Sequence, residues 1–383
     1  MAIVINGSGT VTGLSVGGLP DGTVDAGTLA ANSVDSAELI DGAVDDSHMA
    51  SIKGRKNIMF NGAMQVSQRT TSTTGVTSAT YGACDRYKLI INGGGTFTIS
   101  QENDAPAGFH KSLKANCTTA QGSLGANDYG YVSQKIESQD TKHLAYGTSS
   151  AKTITLSFWV KCSQTGTLQA GIVHYASGGN RHIGGTYVIN AADTWEQKTM
   201  TFAGDTTRVG NFDTARGFEV EWFLISGSAR TGGSVPSSWG TMAQTNRNAG
   251  SNISIGDSTS DTWQITGVQL EVGSVATDFE HRSFGEELAL CQRYFVNWLA
   301  DQSSFAVEMG STFQTNAYMY AHLNTPLFMR TMGAISYTVA SSVGTNQNAA
   351  YARQTNTLIV GRGSGAVNDV YMTFSKLQVD AEL

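Results

Sequence analysis

The sequence predicts a mainly β protein built in series: an extended repeat arm, a central jelly-roll β-sandwich, a short linking helix and a small C-terminal β domain. Three observations carry that reading. The chain has 44 glycines, 4 prolines and only 14% charged residues among 383, where ordinary soluble domains carry about 25% charge. From residue 57 onward, apolar and polar residues alternate in short runs separated by Gly- and Asn/Asp-rich turns. Before that, the N-terminal segment repeats with a period of ten residues.

Composition and charge bound the function. The length allows two or three domains with a full core. Net charge is −7 with no basic block, so nucleic acid is not an expected partner. MAIVINGSGTVTG lacks the basic start and apolar run of a signal peptide. No stretch approaches the eighteen or so apolar residues of a membrane span, so no membrane insertion is expected. Cys84, Cys117, Cys162 and Cys291 show no metal spacing. They read as reduced core thiols, with a disulfide pair as the alternative.

The first segment, residues 1–20, reads as a short strand pair that docks onto another protein. Residues 21–56 contain DGTVDAGTLA, ANSVDSAELI and DGAVDDSHMA, which align Val24, Val34 and Val44, then Leu29, Leu39 and Met49. Two apolar anchors per repeat cannot offset the ordering entropy of one copy. Two readings stand: a disordered linker, or an arm ordered by wrapping around copies of itself, with the Val and Leu positions on a symmetry axis.

Residues 57–281 form the sandwich. AKTITLSFWVKC places Ile154, Leu156, Phe158, Val160 and Cys162 on one face and Trp159 and Lys161 on the other. GFEVEWFLI turns Phe218, Val220, Trp222 and Leu224 to the core. Further strands are expected over 87–91, 96–100, 112–115, 129–136, 166–174, 194–202 and 263–270. About nine or ten strands without intervening helices argue two sheets in a jelly roll. Trp159, an aromatic on a polar strand face, can stack against a sugar ring. The alternative is that a loop or neighbouring subunit covers it. Tyr175, His182 and Trp239 fall in Gly/Ser/Asn-rich loops, where binding residues often sit.

Catalytic signatures are missing. The sequence has no HExxH, GxSxG, P-loop or dinucleotide fingerprint. Glu219 and Glu221 share a strand face roughly 7 Å apart by strand geometry, and read as solvated carboxylates rather than a glycosidase pair. His174, His182, Asp193 and Asp213 have spacings that specify no metal. No catalytic residue, metal or cofactor is therefore assigned.

The junction follows. Trp263–Glu271 reads as a strand whose alternation slips at Gly267, a bulge. After a connector at 273–283, helical spacing over 284–295 puts Leu288, Cys291, Tyr294 and Phe295 on one apolar stripe. Residues 282–295 are thus the linking helix. Residues 296–383 form the last domain, with strands over 304–309, 315–323, 334–340, 351–354, 357–360 and 370–379. The Tyr318–Tyr320 and Phe328–Met332 clusters give it more apolar surface than a small core hides.

Several fragments together resemble a known family. They are MAIVINGSGTVTGLSVGGLPDGTV, the decapeptide repeats, NIMFNGAMQVSQR, DRYKL, AKTITLSFWVK, TWEQKTMTFAGDT, GVQLEVGSVATDFEHRSFGEELALCQRYF and the terminal DAEL. The chain resembles bacteriophage tail fibres and their prophage relatives over essentially its whole length, with Asp278 where a proline is expected. The resemblance implies a homotrimeric fibre with a tail-attachment arm, a jelly roll similar to carbohydrate-binding modules, and a distal domain that meets the host surface. It supplies no catalytic or ligand residues.

The function expected on these grounds is a non-enzymatic structural and receptor-binding virion protein, assembled in the bacterial host cytoplasm. Its partners would be a tail, baseplate or adaptor protein and host polysaccharide or lipopolysaccharide, bound multivalently. The alternatives are a depolymerising tailspike and a purely architectural fibre. In a three-chain fibre, Leu288, Cys291 and Tyr294 would meet across subunits, as would the arm's Val and Leu positions.

Overall fold

The structure is a computed structural model. It describes residues 55–298, a strand pair near the N-terminus and, after residue 304, six strands with residues 329–330 and 381–383. The chain forms two compact units, Met1–Gly54 and Arg55–Leu383. In the first, β1 (Val4–Ile5) and β2 (Val11–Thr12) pair antiparallel. The arm positions Val24, Leu29, Val34, Leu39, Val44 and Met49 lie outside the described residues.

The second unit begins with thirteen strands. They are β3 (Ser72–Val76), β4 (Thr80–Tyr81), β5 (Tyr87–Asn92), β6 (Thr96–Glu102), β7 (Ser112–Thr119) and β8 (Tyr129–Glu137). Then come β9 (Ile154–Cys162), β10 (Gly166–His174), β11 (Arg181–Ile189), β12 (Glu196–Phe202), β13 (Arg216–Ser226), β14 (Gly240–Thr241) and β15 (Thr262–Val272). A seven-stranded sheet runs β14-β11-β10-β13-β8-β5-β4, and a six-stranded sheet runs β12-β9-β15-β7-β6-β3. Neighbouring strands within each sheet pair antiparallel and the chain crosses repeatedly from one sheet to the other, giving a jelly-roll-like sandwich.

Its core lies between the sheets, where period-two alternation puts it. Ile154, Leu156, Phe158, Val160 and Cys162 of β9 face Phe218, Val220, Trp222 and Leu224 of β13, all essentially sealed from solvent. Each buried Ile, Leu or Phe contributes about 1.5–3 kcal/mol. Trp222 packs edge-on against Phe158, centroids 5.9 Å apart, and Trp263 Nε1 donates to Tyr187 Oη at 3.1 Å. In β15 the register breaks between Thr266 and Gln269, with Gly267 at φ +60°. That is the expected bulge, and it keeps Trp263, Ile265, Val268 and Leu270 all on the core side. All four cysteines are free and buried.

The linking helix is shorter than its apolar spacing suggests, Phe284–Gln292. Ser283 caps it, accepting from the Glu286 backbone N–H while the Glu286 side chain returns to Ser283 N. Tyr294 and Phe295 fall beyond it, Phe295 opening β16 (Phe295–Asn297). The C-terminal strands are β17 (Phe305–Thr312), β18 (Met319–Asn324), β19 (Ala334–Val343), β20 (Gln347–Gln354), β21 (Thr357–Gly363) and β22 (Val367–Asp380). β22 is the axis of one sheet, pairing with β16, β17 and β19; β18-β21-β20 form another.

Three expectations need correcting. Cys291 and Tyr294 are fully buried within the single chain. Tyr294 donates to Glu137 Oε1 at 2.7 Å, and the Arg86 guanidinium lies 3.4 Å over its ring. These side chains are therefore core, not a face awaiting other subunits; Leu288 is half-buried. His182 lies in β11 rather than a loop, because RHIGGTYVI pairs along its whole length with β10 despite its two glycines. Glu219 and Glu221 are buried, not solvated. Residues 227–252 lie over the sheet face they occupy, Arg247 reaching Glu221 and the Asn246 and Pro236 carbonyls accepting from Gln169 and Gly184. Residues 296–383 fall with the sandwich in the second compact unit, Arg55–Leu383. Arg86 pairs with Glu382, and the Leu383 carbonyl accepts from Lys135 Nζ and Tyr81 Oη.

Candidate functional site

The outer face of the six-stranded sheet carries the most promising surface. Alternation turns Thr155, Ser157, Trp159 and Lys161 of β9 outward. The loop 103–111, between β6 and β7, lies across this face. Asp104 anchors it: its carboxylate accepts from Lys161 Nζ at 2.7 Å and Trp195 Nε1 at 3.1 Å, and its carbonyl accepts from Ser112 Oγ at 2.6 Å. The hydrogen bond from Lys161 chiefly holds the Asp104 carboxyl below the usual carboxylate range. Further along, Thr266 Oγ1 donates to the Lys111 carbonyl at 2.7 Å.

Beside this loop lies an aromatic cluster. Phe109 meets Phe279 edge-on with centroids 5.0 Å apart, and His281 lies 5.3 Å from Phe109 and 4.9 Å from Phe279. Phe109 and Phe279 are half-buried and His281 is exposed. Gly267 makes room for the cluster. A Cβ there would lie 2.7 Å from Phe109 Cζ and 3.0 Å from Trp159 Cδ1.

Another part of the same face opens into a polar groove of about 350 Å³. Its walls include Ser72, Thr98, Ser100, Glu102, Lys114 and Asn116. Ser100 Oγ donates to Glu102 Oε1 at 2.6 Å. A cross-strand row, Ser72–Ser100–Lys114–Gln264–Lys161, joins the groove to the tethered end of the loop. A concave wall of hydroxyls, an amide and one charge of each sign suits a polyhydroxylated ligand.

The four residues proposed from sequence do not converge. Trp159 is half-buried beside Phe109, so a loop of its own chain covers part of its ring. Tyr175 follows β10, donates to Glu219 Oε2 at 2.6 Å and lies under the Arg216 guanidinium at 4.3 Å. His182 is buried on the outer face of the other sheet. Trp239 donates from Nε1 to the Ala203 carbonyl at 2.6 Å and packs on Tyr146, His174 and Phe218. Only Trp159 belongs to the face with the groove. Sequence reading missed Lys114, Asn116 and Phe109. The alternation of KSLKANC carried a signal for the first two; Phe109, in a loop, offered none.

The carboxylate pair is committed internally. Glu221 is paired with Arg247, whose guanidinium also stacks 5.1 Å from the Tyr131 ring and 5.3 Å from that of Phe223. Glu219 accepts from Ser133 Oγ and Tyr175 Oη. Burial raises the Glu221 carboxyl above the usual range, with Arg247 opposing. Among the described residues no three His, Cys, Asp or Glu side chains group as metal ligands.

No family model and no curated protein matches the chain. Among solved structures it is similar to the enzymatically active domain of tailspike protein 4 of bacteriophage CBA120, with 14% identity over 57% of this chain and a TM-score of 0.29. The chain spans about a fifth of that protein's length, 21%. It is also similar to a putative sugar-binding protein from Bacteroides thetaiotaomicron, with 13% identity, 57% of this chain, 100% of that one and a TM-score of 0.33. A family 11 carbohydrate-binding module from Clostridium thermocellum gives 10%, 55%, 98% and 0.28.

Proposed function

We propose that the chain is a glycan-binding attachment protein of the tail-fibre kind. The single observation that carries this reading is the outer face of the six-stranded sheet, where a groove of hydroxyl, amide and charged side chains shares one surface with half-buried aromatics. Saccharide hydroxyls need such mixed donors and acceptors, and aromatic rings give their apolar faces a platform. The repeat arm would hold three copies together, so that weak sites act jointly. Its first residues would join the fibre to a tail or adaptor protein, within a virion assembled in the host cytoplasm. The protein binds its glycan without cleaving it; Glu219 and Glu221, the strand-borne carboxylate pair, are occupied by partners within the chain.

Adsorption tests the reading. Fluorescent full-length protein should adhere to cells of its bacterial host and lose most adhesion after periodate oxidation of surface sugars. Undiminished adhesion to oxidised cells would rule out glycan recognition. Release of new reducing ends from the bound polysaccharide would instead make the protein a depolymerase.

A further inference from the structure

We infer that the groove on the six-stranded sheet selects an anionic saccharide, with the Lys114 ammonium taking the carboxylate or phosphate carried by one sugar ring. This rests on the glycan reading above. The face carries two lysines in one cross-strand row, Lys114 and Lys161, both next to Gln264. They have different fates. Lys161 is neutralised by Asp104 at 2.7 Å. Lys114 lines the groove half-buried and its ammonium has no hydrogen bond or ion pair among the described residues.

A half-buried ammonium has lost part of its water and gains most from a charged acceptor. Glu102, the groove's carboxylate, is two residues along β6 from Lys114's cross-strand neighbour Ser100, and already accepts from that serine. The side chains of Thr98 and Asn116, paired across strands beside Lys114, likewise lack internal partners among the described residues. They can bond sugar hydroxyls while Lys114 binds the acid. The groove crosses β3, β6 and β7, about 10 Å by strand spacing, room for a short segment of a saccharide chain. Every residue lining the groove is polar or charged.

Calorimetric titration of the full-length protein with tetragalacturonate, a phosphorylated lipopolysaccharide core saccharide and maltotetraose tests this. At least one acidic saccharide should bind about tenfold more tightly than maltotetraose, and added salt should reduce that advantage. Whether the uronate or the phosphate is preferred identifies the acidic group. Lys114→Met should abolish the advantage and Lys114→Arg retain most of it, both variants folding normally because Lys114 has no internal partner to lose. Equal binding of all three saccharides, an unchanged Lys114→Met, or no binding of any of them would overturn the charge assignment. The underlying glycan reading fails separately, when periodate-treated cells adsorb the protein as well as untreated ones.

Discussion

His182 stands on β11 with neither ring nitrogen hydrogen-bonded among the described residues, so close to Gly171 that a Cβ there would lie 2.7 Å from Nε2. Burial, then the nearby Arg247 charge, pushes its imidazole down to about 4 from an ordinary 6.5. The folded state therefore resists protonation. The stability His182 contributes is complete above about pH 6.5 and is lost as pH falls towards 4. His182→Leu removes two unsatisfied nitrogens and should match or exceed wild-type stability at neutral pH. Its advantage in urea unfolding should widen by up to about 3 kcal/mol between pH 6.5 and 4; a constant difference would mean that His182 is solvated. The neighbouring ion pair makes the opposite point. Arg247→Met strands the Glu221 charge and should cost about 3–5 kcal/mol, with Glu221→Gln in the same chain recovering much of it. The sequence could not show either environment. Strand alternation marks which residues leave the core side, but not whether 227–252 will later cover them.

At the scale of elements, β15 was the most legible part of the chain. Its hydrophobic phase slips by one residue at the only glycine between Trp263 and Glu271, and a bulge with a left-handed glycine is the local solution. Gly267→Ala should cost about 1–3 kcal/mol in backbone strain and should also displace Phe109, lowering glycan affinity; unaltered stability would mean the bulge relaxes freely. The linking helix was less legible. Its capping box fixes where it starts, yet the apolar stripe runs past its true end because Tyr294 and Phe295 are held by the sandwich and β16 rather than by helical packing. β11 was missed for the converse reason: a Gly-Gly pair imitates a loop unless the neighbouring strand is known.

For the whole molecule, the sheet class followed from composition and period two, while β3, β4, β11 and β14 among the thirteen sandwich strands, and the joining of the two tiers, did not. Arg86 is sealed from solvent and answered by Glu382, almost three hundred residues later. Arg69 reaches Asp380 at 3.0 Å. No local pattern announces such pairs. Glu382→Ala should leave Arg86 without its main counter-charge and lower stability by about 3–5 kcal/mol, read from the urea midpoint at constant slope. Light scattering of the intact chain should give three times the monomer mass, and a monomer at micromolar concentration would remove the basis for joint action of weak sites. Hydrogen–deuterium exchange of the full-length protein, with and without host cell-surface polysaccharide, tests most directly which face meets the glycan. Slowed exchange concentrated in residues 96–118, spanning β6, the 103–111 loop and β7, is the predicted result; protection confined to the seven-stranded sheet, or none in 96–118, would contradict it.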